Sequence, residues 1–201
     1  MPNYPQQIGI TGGIGSGKSL ISKIFKSLGI PIYDADSHAK ILMTTDGILV
    51  EQIKKEFGSL SYDEKGNLNR KYLSDAIFSD DIKRQKLNGL VHPRVALDYD
   101  RWLSENTDRP YIIKEAALLF ESGSGDSLDK IIVVTAPEQM RVKRVLKRDP
   151  HRTELDVLRI IRNQMGEEEK LIKADFIIYN DETTLVVPQV LELDKQFNLM
   201  N

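Results

Sequence analysis

A run of glycines that ends in Lys and Ser is the part of the sequence whose residue types could do chemistry most directly. The run "GGIGSGKS", residues 12–19, fits the spacing G-x-x-x-x-G-K-S. Glycine lets successive backbone N–H groups turn towards one point and approach an anion closely. A Lys at this spacing reaches the β- and γ-phosphates of a nucleotide, and the Ser hydroxyl can ligate Mg²⁺. The spacing therefore predicts a nucleoside-triphosphate site, with Lys18 on the phosphates and Ser19 on the metal.

The residues around this loop supply the context that such a site needs. Ile8–Thr11 is a short apolar run typical of a buried strand, and Lys18–Leu28 repeats apolar residues at helical spacing before Gly29. A helix that begins at Lys18 points its first N–H groups at the same anion as the loop. Strand, loop and helix together indicate a P-loop, although a P-loop alone does not separate a kinase from a GTPase or an ATP-driven motor.

Two further patterns favour a small-molecule kinase. The sequence lacks the Asn-Lys-x-Asp motif with which a GTPase reads its base, and "YIIKEA" offers Glu115 where a motor would carry Asp. "YDADSHA" places Asp34 at the end of a predicted strand and Asp36 two residues later. Because the carboxyl ends of parallel strands form the ligand crevice, a carboxylate there could orient or deprotonate an acceptor hydroxyl. The alternative is that one of them caps the following helix, and Asp36 is the better candidate for that cap.

Short apolar runs alternate with segments of helical periodicity, which predicts an α/β fold with a parallel sheet covered on both faces. Between Asp34 and Tyr111 lie more than seventy residues of mostly helical pattern, whereas a crossover needs only about a dozen. We therefore predict one domain with a core of about 1–34, 110–140 and 174–201, and a helical substrate-binding insertion of about 35–109. The predicted strands are Ile8–Thr11, Ile30–Asp34, Tyr111–Ala116, Lys130–Thr135 and Asp175–Asn180, and the predicted helices of the insertion are Ser37–Met43, Leu49–Phe57, Lys71–Phe78, Ile82–Leu90 and Pro93–Glu105.

Arginine and lysine are frequent in the stretch 141–173, which follows the fourth predicted strand. Arg144 and Arg148 lie four residues apart and so share a helix face, with Arg141 three residues before Arg144. A run of this kind is commonly a solvated helix surface. In a kinase-like fold it can instead belong to a lid, because a planar guanidinium neutralises charge on two phosphoryl oxygens at once. We therefore predict a lid over 141–173, with Arg144 and Arg148 as candidate catalytic residues.

Composition argues against several other classes of protein. The chain has 201 residues, a net charge of −2 and no cysteine. It offers neither a broad polycationic surface for nucleic acid nor thiolate ligands for zinc. The polar N-terminus is unlike a signal peptide, and the apolar runs are far shorter than the roughly 18 residues of a membrane span. We expect a cytoplasmic protein without nucleic-acid or membrane partners, and the sequence does not indicate its oligomeric state.

Several segments together resemble the dephospho-CoA kinase family nearly from end to end: "GITGGIGSGKS", "LGIPIYDAD", "VHPRV", "ALLFES", "RVLKRD" and "KADFIIYND". The resemblance implies a nucleotide-kinase-like P-loop fold with five parallel strands in the order 2-3-1-4-5. It also implies transfer of a phosphoryl group from ATP, with Mg²⁺, to the ribose 3′-hydroxyl of dephospho-CoA. Catalysis would rest on Asp34, Lys18, Arg144 and Arg148, and substrate binding on Asp34, His92 and Arg144. ATP would bind to Gly12, Gly13, Ile14, Gly15, Ser16, Gly17, Lys18, Ser19 and Leu20.

The sequence departs from the family pattern at a few positions. Leu20 replaces the usual Thr after the P-loop Ser, and Ala117 replaces the usual Pro before "LLFE". Lys114 and Glu115 are unusually polar for a central strand, and their role stays open. Two rival functions also stay open: a kinase of another small acceptor such as a nucleoside or nucleotide, and a regulator that binds ATP without transferring phosphate.

Overall fold

The computed structural model describes residues 4–78 and 80–199, and the chain divides into two compact units. One boundary follows Asp34 and the other follows Glu105. We call residues 35–105 the helical unit and the rest of the described chain the core unit. In chain order the elements are β1 (Gln6–Thr11), α1 (Lys18–Ser27), β2 (Ile32–Asp34), α2 (Ala35–Thr45), α3 (Gly47–Phe57), a 3₁₀ turn (Ser59–Ser61), α4 (Arg70–Phe78), α5 (Asp81–Ser104), β3 (Tyr111–Glu115), β4 (Lys130–Thr135), α6 (Glu138–Arg148), α7 (Glu154–Arg162), α8 (Glu167–Lys173), β5 (Phe176–Tyr179) and α9 (Val186–Leu199).

The core unit is built on a parallel sheet of five strands, and its order β2-β3-β1-β4-β5 confirms the prediction. Most strand bounds differ from the prediction by a residue or two. β1 begins early because Gln6 and Gln7 pair with residues of β3. β2 begins at Ile32 and not at Ile30, since Pro31 has no N–H to contribute to the ladder.

Helices α1 and α9 bury their apolar sides against one face of this sheet. Ile21 and Phe25 of α1 and Phe197 of α9 are fully buried in one cluster with Ile8 and Ile10 of β1. Burying an apolar side chain of this size stabilises a fold by roughly 1.5–3 kcal/mol. Packing therefore fixes β1 and α1, the two elements that the glycine-rich loop connects.

A separate apolar cluster stabilises the helical unit. Leu49 and Ile53 of α3 pack there with Leu73 of α4 and with Leu87 and Val91 of α5. All five side chains are buried. The helical unit therefore has an apolar core of its own.

One long helix crosses the part of the helical unit where the sequence predicted two. The prediction ended a helix at Leu90 and began another at Pro93, but α5 runs without interruption from Asp81 to Ser104. Proline inside a helix lacks the N–H that would bond to the residue four positions earlier, which costs about 3 kcal/mol. The buried apolar residues on both sides of Pro93 outweigh that cost. They are Leu87, Val91, Tyr99 and Leu103.

Asp46 joins two helices of the helical unit. It is the N-cap of α3, where its carboxylate accepts a hydrogen bond from the N–H of Leu49 at 2.9 Å. The same carboxylate accepts from Nε of Arg94 on α5 at 2.8 Å. Burial alone would raise the pKa of Asp46, but the hydrogen bond from Leu49 and the neighbouring guanidinium outweigh it and lower the pKa below 3.8. The folded state therefore favours the ionised carboxylate.

Replacing this carboxylate should produce a stability loss that depends on pH. Asp46→Asn keeps a capping oxygen but removes the charge that Arg94 faces. Because the pKa is lower in the folded state, the carboxylate contributes stability above the unfolded value of 3.8 and loses it as the pH falls through the folded value. Since the side chains of Asp46 and Arg94 keep some contact with solvent, we expect the free energy of unfolding of the variant to be lower by on the order of 1 kcal/mol near neutral pH. Urea unfolding of both proteins in neutral and acidic buffers measures the difference, and a difference that does not shrink in acid would contradict this account.

Candidate active site

The loop 12–17 joins β1 to α1 and needs glycine for two reasons. The φ angles are 151° at Gly12, 79° at Gly15 and 101° at Gly17, all in a region that L side chains rarely adopt. Neighbouring groups also leave no room for a side chain. A Cβ at Gly12 would lie 2.2 Å from a carbonyl oxygen of β4, and one at Gly17 would lie 2.1 Å from Nδ2 of Asn180. Both conformation and space therefore require the glycines of the motif.

Helix α1 begins on this loop without a capping side chain. Its N-cap is Gly17, which has none to offer. Nζ of Lys18 donates a hydrogen bond to the carbonyl oxygen of Gly12 at 2.9 Å, so its ammonium is held beside the first glycine of the loop. Helix N–H groups, the helix dipole and a fixed ammonium together form a site for an anion such as a phosphate.

Two amide side chains from distant parts of the chain bind the backbone of this loop. Oε1 of Gln164 accepts a hydrogen bond from the N–H of Ile14 at 2.9 Å. Nδ2 of Asn180, which follows β5, donates to the carbonyl oxygen of Ser16 at 2.8 Å. Neither residue belongs to the site predicted from the sequence. A polar residue after a predicted strand is a signal that could have indicated Asn180, whereas no local pattern indicates Gln164.

Arg141 supports the middle of the loop. A Cβ at Gly13 would lie 2.0 Å from Nη1 of Arg141, and one at Gly15 would lie 2.5 Å from its carbonyl oxygen. Only 4% of Arg141 is exposed, and its Nη1 donates to a carboxylate oxygen of Glu167 at 2.6 Å. The other oxygen of Glu167 accepts from the hydroxyl of Thr135 at 2.6 Å. The sequence singled out Arg141 only as a neighbour of the predicted lid arginines, and the structure adds its contact with the loop.

The two predicted lid arginines lie on α6 in different surroundings. Nη2 of Arg144 donates to the carbonyl oxygen of Asn180 at 3.0 Å and to Glu182 at 3.2 Å. Its Nη1 is buried and has no hydrogen-bond partner within the described part of the chain. Arg148 is more exposed and bonds to Asp149, and this hydrogen bond raises the pKa of Arg148. Of the two, Arg144 is therefore the one that contacts a residue bound to the loop.

Two carboxylates meet where β2 and β3 end. Strand pairing sets the Cα of Asp34 opposite that of Glu115, which on its other side lies opposite Ile10 of β1. Strands are about 5 Å apart and paired residues share one face of a sheet, here the face that α1 covers. Ser19 on α1 donates its hydroxyl to Oε1 of Glu115 at 3.1 Å. The register therefore brings both carboxylates to the end of the sheet at which α1 begins.

Asp36 is not the helix cap that the sequence favoured. Helix α2 begins at Ala35, directly after β2, so Asp36 lies inside the first turn. A cap residue precedes the helix and has a non-helical backbone conformation. An acidic side chain in the first turn still interacts favourably with the helix dipole. The carboxylate directly before α2 is that of Asp34.

The polar atoms around the loop fit a phosphorylated ligand with a bound cation. Oγ of Ser16 is buried and, like Nη1 of Arg144, lacks a hydrogen-bond partner among the residues described. Buried polar atoms are normally satisfied, and the oxygens of a phosphorylated ligand would satisfy both of these. Ser19 and Glu115 provide hydroxyl and carboxylate oxygens, which Mg²⁺ prefers. Within the described ranges no group of three His, Asp or Glu side chains could hold a metal, so a cation at Ser19 would also need phosphate oxygens.

Two open cavities adjoin the arginines of α6, one at Arg141 and the other at Arg144. The first has a volume of about 340 Å³ and is bounded in part by Thr135, Arg141 and Asp181. The second has a volume of about 440 Å³ and is bounded in part by Arg144 and Glu182. Cavities of about 300–1,000 Å³ hold small ligands, so both have room for part of a nucleotide.

His92, predicted to bind the substrate, lies on α5 in the helical unit. Its side chain keeps contact with solvent, yet its neighbours crowd it enough that desolvation lowers its pKa below 6.5. The ring is therefore mainly neutral near pH 7. A cavity of about 340 Å³ in the same unit is lined by charged residues that include Asp46, Arg94 and Arg101. A role of His92 in substrate binding stays a prediction.

Most of the chain matches one family model. The model of dephospho-CoA kinase matches residues 6–185. The chain belongs to the dephospho-CoA kinase family. A curated dephospho-CoA kinase from Bacteroides fragilis is 39% identical over 190 residues, which cover 93% of this chain and 90% of that relative. The resemblance stated from the sequence motifs is thereby confirmed.

Solved structures agree with this membership in the dephospho-CoA kinase family. A crystal structure of a protein from Thermus thermophilus is 33% identical, with a TM-score of 0.82 over 96% of each chain. The dephospho-CoA kinase from Campylobacter jejuni is 26% identical, with a TM-score of 0.71 over 97% of this chain and 98% of that one. The predicted kinase-like P-loop fold is therefore confirmed over nearly the whole chain.

The contact between Arg141 and the loop can be tested with Gly13→Ala. The φ angle of Gly13 is not positive, so any strain comes from the Cβ, which would displace the buried guanidinium from Glu167. We expect ATP affinity to fall on the order of tenfold or more, because a shifted loop misplaces the groups that face the phosphates. Calorimetric titration with ATP measures this effect.

Gly89→Ala is the matched control for this substitution. Gly89 lies inside α5, and a Cβ there would meet open space. The variant should leave ATP affinity unchanged and stabilise the fold by about 0.5–1 kcal/mol in urea unfolding. Wild-type ATP affinity in Gly13→Ala would contradict the proposed support of the loop by Arg141.

Proposed function

We propose that this protein is a dephospho-CoA kinase, which transfers the γ-phosphoryl group of ATP to the ribose 3′-hydroxyl of dephospho-CoA and releases CoA and ADP. One observation carries the proposal. A phosphate-binding loop with a fixed Lys18 and a carboxylate at Asp34 occur together in the core unit of a chain of this family. Phosphoryl transfer to an alcohol needs a site for the donor's phosphates and a base for the acceptor.

Residues Gly12–Leu20 are the proposed site for the phosphates of ATP. Lys18 and the N-terminus of α1 oppose the charge of the β- and γ-phosphates. Ser19 and Glu115 are the residues that would hold Mg²⁺, and the ion, when bound, would neutralise charge on the β- and γ-phosphates. The cavities bounded by Arg141 and Arg144 offer space for the nucleoside.

Arg144 is the proposed stabiliser of the charge that spreads over the transferring phosphoryl group. Its buried Nη1 has no partner in the described ranges and can donate a charge-assisted hydrogen bond to a phosphate oxygen. Its other terminal nitrogen is held by Asn180, which orients the guanidinium before the ligand arrives. Arg148 bonds to Asp149 through Nε and Nη2, so it is proposed to have the smaller part in this stabilisation.

Asp34 is the proposed general base. A carboxylate within hydrogen-bond reach of the attacking hydroxyl can accept its proton as the bond to phosphorus forms. Glu115 already accepts from Ser19, so the two neighbouring carboxylates have different tasks. The helical unit, with His92, is proposed to bind the acceptor.

The expected location and partners follow from less direct observations. In the ranges 4–78 and 80–199, no helix combines the length and the apolar character of a membrane span. A cytoplasmic location and the absence of nucleic-acid or membrane partners stay predictions.

The proposal is tested by a panel of acceptors. ATP with dephospho-CoA and Mg²⁺ should yield ADP and CoA in equal amounts. Adenosine has the reacting ribose but lacks the pantetheine-diphosphate arm, whose binding helps to position the hydroxyl, so it should show both a lower kcat and weaker binding. Chromatography of the products measures each reaction. Efficient phosphorylation of a nucleoside with dephospho-CoA inert would indicate another kinase, and ATP binding without any phosphorylated product would indicate a regulator.

Asp34→Asn tests the general base. The amide has nearly the same shape and can still precede α2, but it cannot accept a proton. We expect kcat to fall on the order of a hundredfold or more, with ATP affinity retained. Asp36→Asn is the matched control, because Asp36 is exposed in the first turn of α2, and its kcat should stay within about twofold of wild type. The reverse result in steady-state kinetics would exchange the roles of the two carboxylates.

A further inference from the structure

A short segment between α7 and α8 is held by an ion pair between a buried lysine, Lys170, and a more exposed glutamate, Glu121. The N–H of Met165 donates to Oε1 of Glu121 at 2.9 Å. The carbonyl oxygen of the same residue accepts from Nζ of Lys170 at 2.8 Å. The ammonium of Lys170 also lies 3.7 Å from Glu121, so one ion pair binds both polar groups of a single residue.

The burial of Lys170 is unusual for a residue of its type. Only 1% of Lys170 is exposed, and burial lowers its pKa although the neighbouring Glu121 and Glu167 act in the opposite direction. Burying an ammonium group has a desolvation cost that the attraction of a nearby carboxylate does not always offset. Such a pair can nevertheless specify one backbone conformation, and here it specifies that of Met165.

The residues on both sides of Met165 hold the phosphate-binding loop. Gln164, one position earlier, accepts from the N–H of Ile14 at 2.9 Å. Glu167, two positions later, accepts from Nη1 of Arg141 at 2.6 Å, and Arg141 packs against Gly13 and Gly15 on either side of Ile14. The same segment therefore contacts the loop once directly and once through Arg141.

We propose that Gln164 is a positioning residue for phosphoryl transfer. Its amide oxygen fixes the Ile14 peptide, and the hydrogen bonds of Glu121 and Lys170 to Met165 fix the backbone next to Gln164. Ile14 lies in the middle of the loop 12–17, which is proposed to bind the phosphates. A small displacement of reacting groups is enough to lower a rate greatly. A neutral amide suits the position because it accepts a hydrogen bond without adding negative charge near the phosphates. The kinetic part of this proposal rests on the proposed kinase function, whereas the hydrogen bond to Ile14 does not.

The test compares substitutions of Gln164 that keep or remove the accepting oxygen. Gln164→Met preserves the length of the side chain without an acceptor, Gln164→Asn keeps the amide but falls short by one carbon, and Gln164→Glu keeps an oxygen at full reach. Asn163→Leu, at an exposed neighbouring position, is a matched amide-to-apolar control. Amide hydrogen exchange by NMR in the absence of nucleotide, kcat, the KM values and the thermal unfolding midpoint are measured for each.

In Gln164→Met and Gln164→Asn we expect the amide of Ile14 to exchange on the order of tenfold faster. The amide of Ile113, whose bond is to the carbonyl oxygen of Pro31, should be unchanged. We expect kcat to fall on the order of tenfold, with the KM for dephospho-CoA and the unfolding midpoint near wild type. Gln164→Glu should restore the protection of Ile14, and Asn163→Leu should match wild type in every measurement.

Wild-type exchange at Ile14 in both Gln164→Met and Gln164→Asn would overturn the proposal. So would faster exchange with unchanged kcat, or a lower kcat in Asn163→Leu. If the wild-type enzyme does not phosphorylate dephospho-CoA, that result contradicts the proposed function but not the proposed contact of Gln164 with the loop. The exchange of Ile14, together with ATP affinity from calorimetry, then still decides whether Gln164 positions the loop.

Discussion

The glycine-rich loop between β1 and α1 must keep one shape to bind a phosphate, and other parts of the core unit supply most of its support. The loop's own backbone contributes a hydrogen bond from the N–H of Ser16 to the carbonyl oxygen of Gly13 at 3.1 Å. Its glycines supply no side chains that could add to this support. Other parts of the chain therefore provide the support: Arg141 packs against the glycines, Asn180 holds Ser16, and Gln164 holds Ile14.

The proposed chemistry follows from strand register as much as from the loop. Parallel pairing sets Asp34 beside Glu115 on adjoining strands, and Ser19 bonds to Glu115 from the first turn of α1. Glu115, which accepts from Ser19, is therefore proposed to have a different role from Asp34, which is proposed to receive the proton. A shift of one residue in β2 would turn the carboxylate of Asp34 to the opposite face of the sheet. The apolar cluster that fixes β1 and α1 thus also fixes the geometry that the proposed reaction needs.

The sequence predicted the parts of this arrangement that follow from local patterns. Short motifs predicted the loop and the position of Asp34 at a strand end, and the alternation of apolar runs with helical segments predicted the parallel sheet. The strand order came only from the family resemblance. The predicted start of α2 was wrong. Aspartate is a residue type that often caps a helix, but α2 begins before Asp36. The predicted helix break at Pro93 was wrong because the burial of apolar residues on both sides of Pro93 stabilises the helix by more than the lost hydrogen bond costs. Gln164 could not be found in this way, since its contact with Ile14 joins residues 150 positions apart.

The central claim is that the γ-phosphoryl group of ATP passes to the 3′-oxygen of dephospho-CoA. ATP carrying oxygen-18 on the γ-phosphoryl group tests it when the wild-type enzyme, Mg²⁺ and dephospho-CoA react and the products are fragmented in a mass spectrometer. The account predicts that the whole label appears in a phosphate on the 3′-oxygen of the adenosine ribose of CoA, with unlabelled ADP. Label found in free inorganic phosphate, or on another atom of the acceptor, would contradict it.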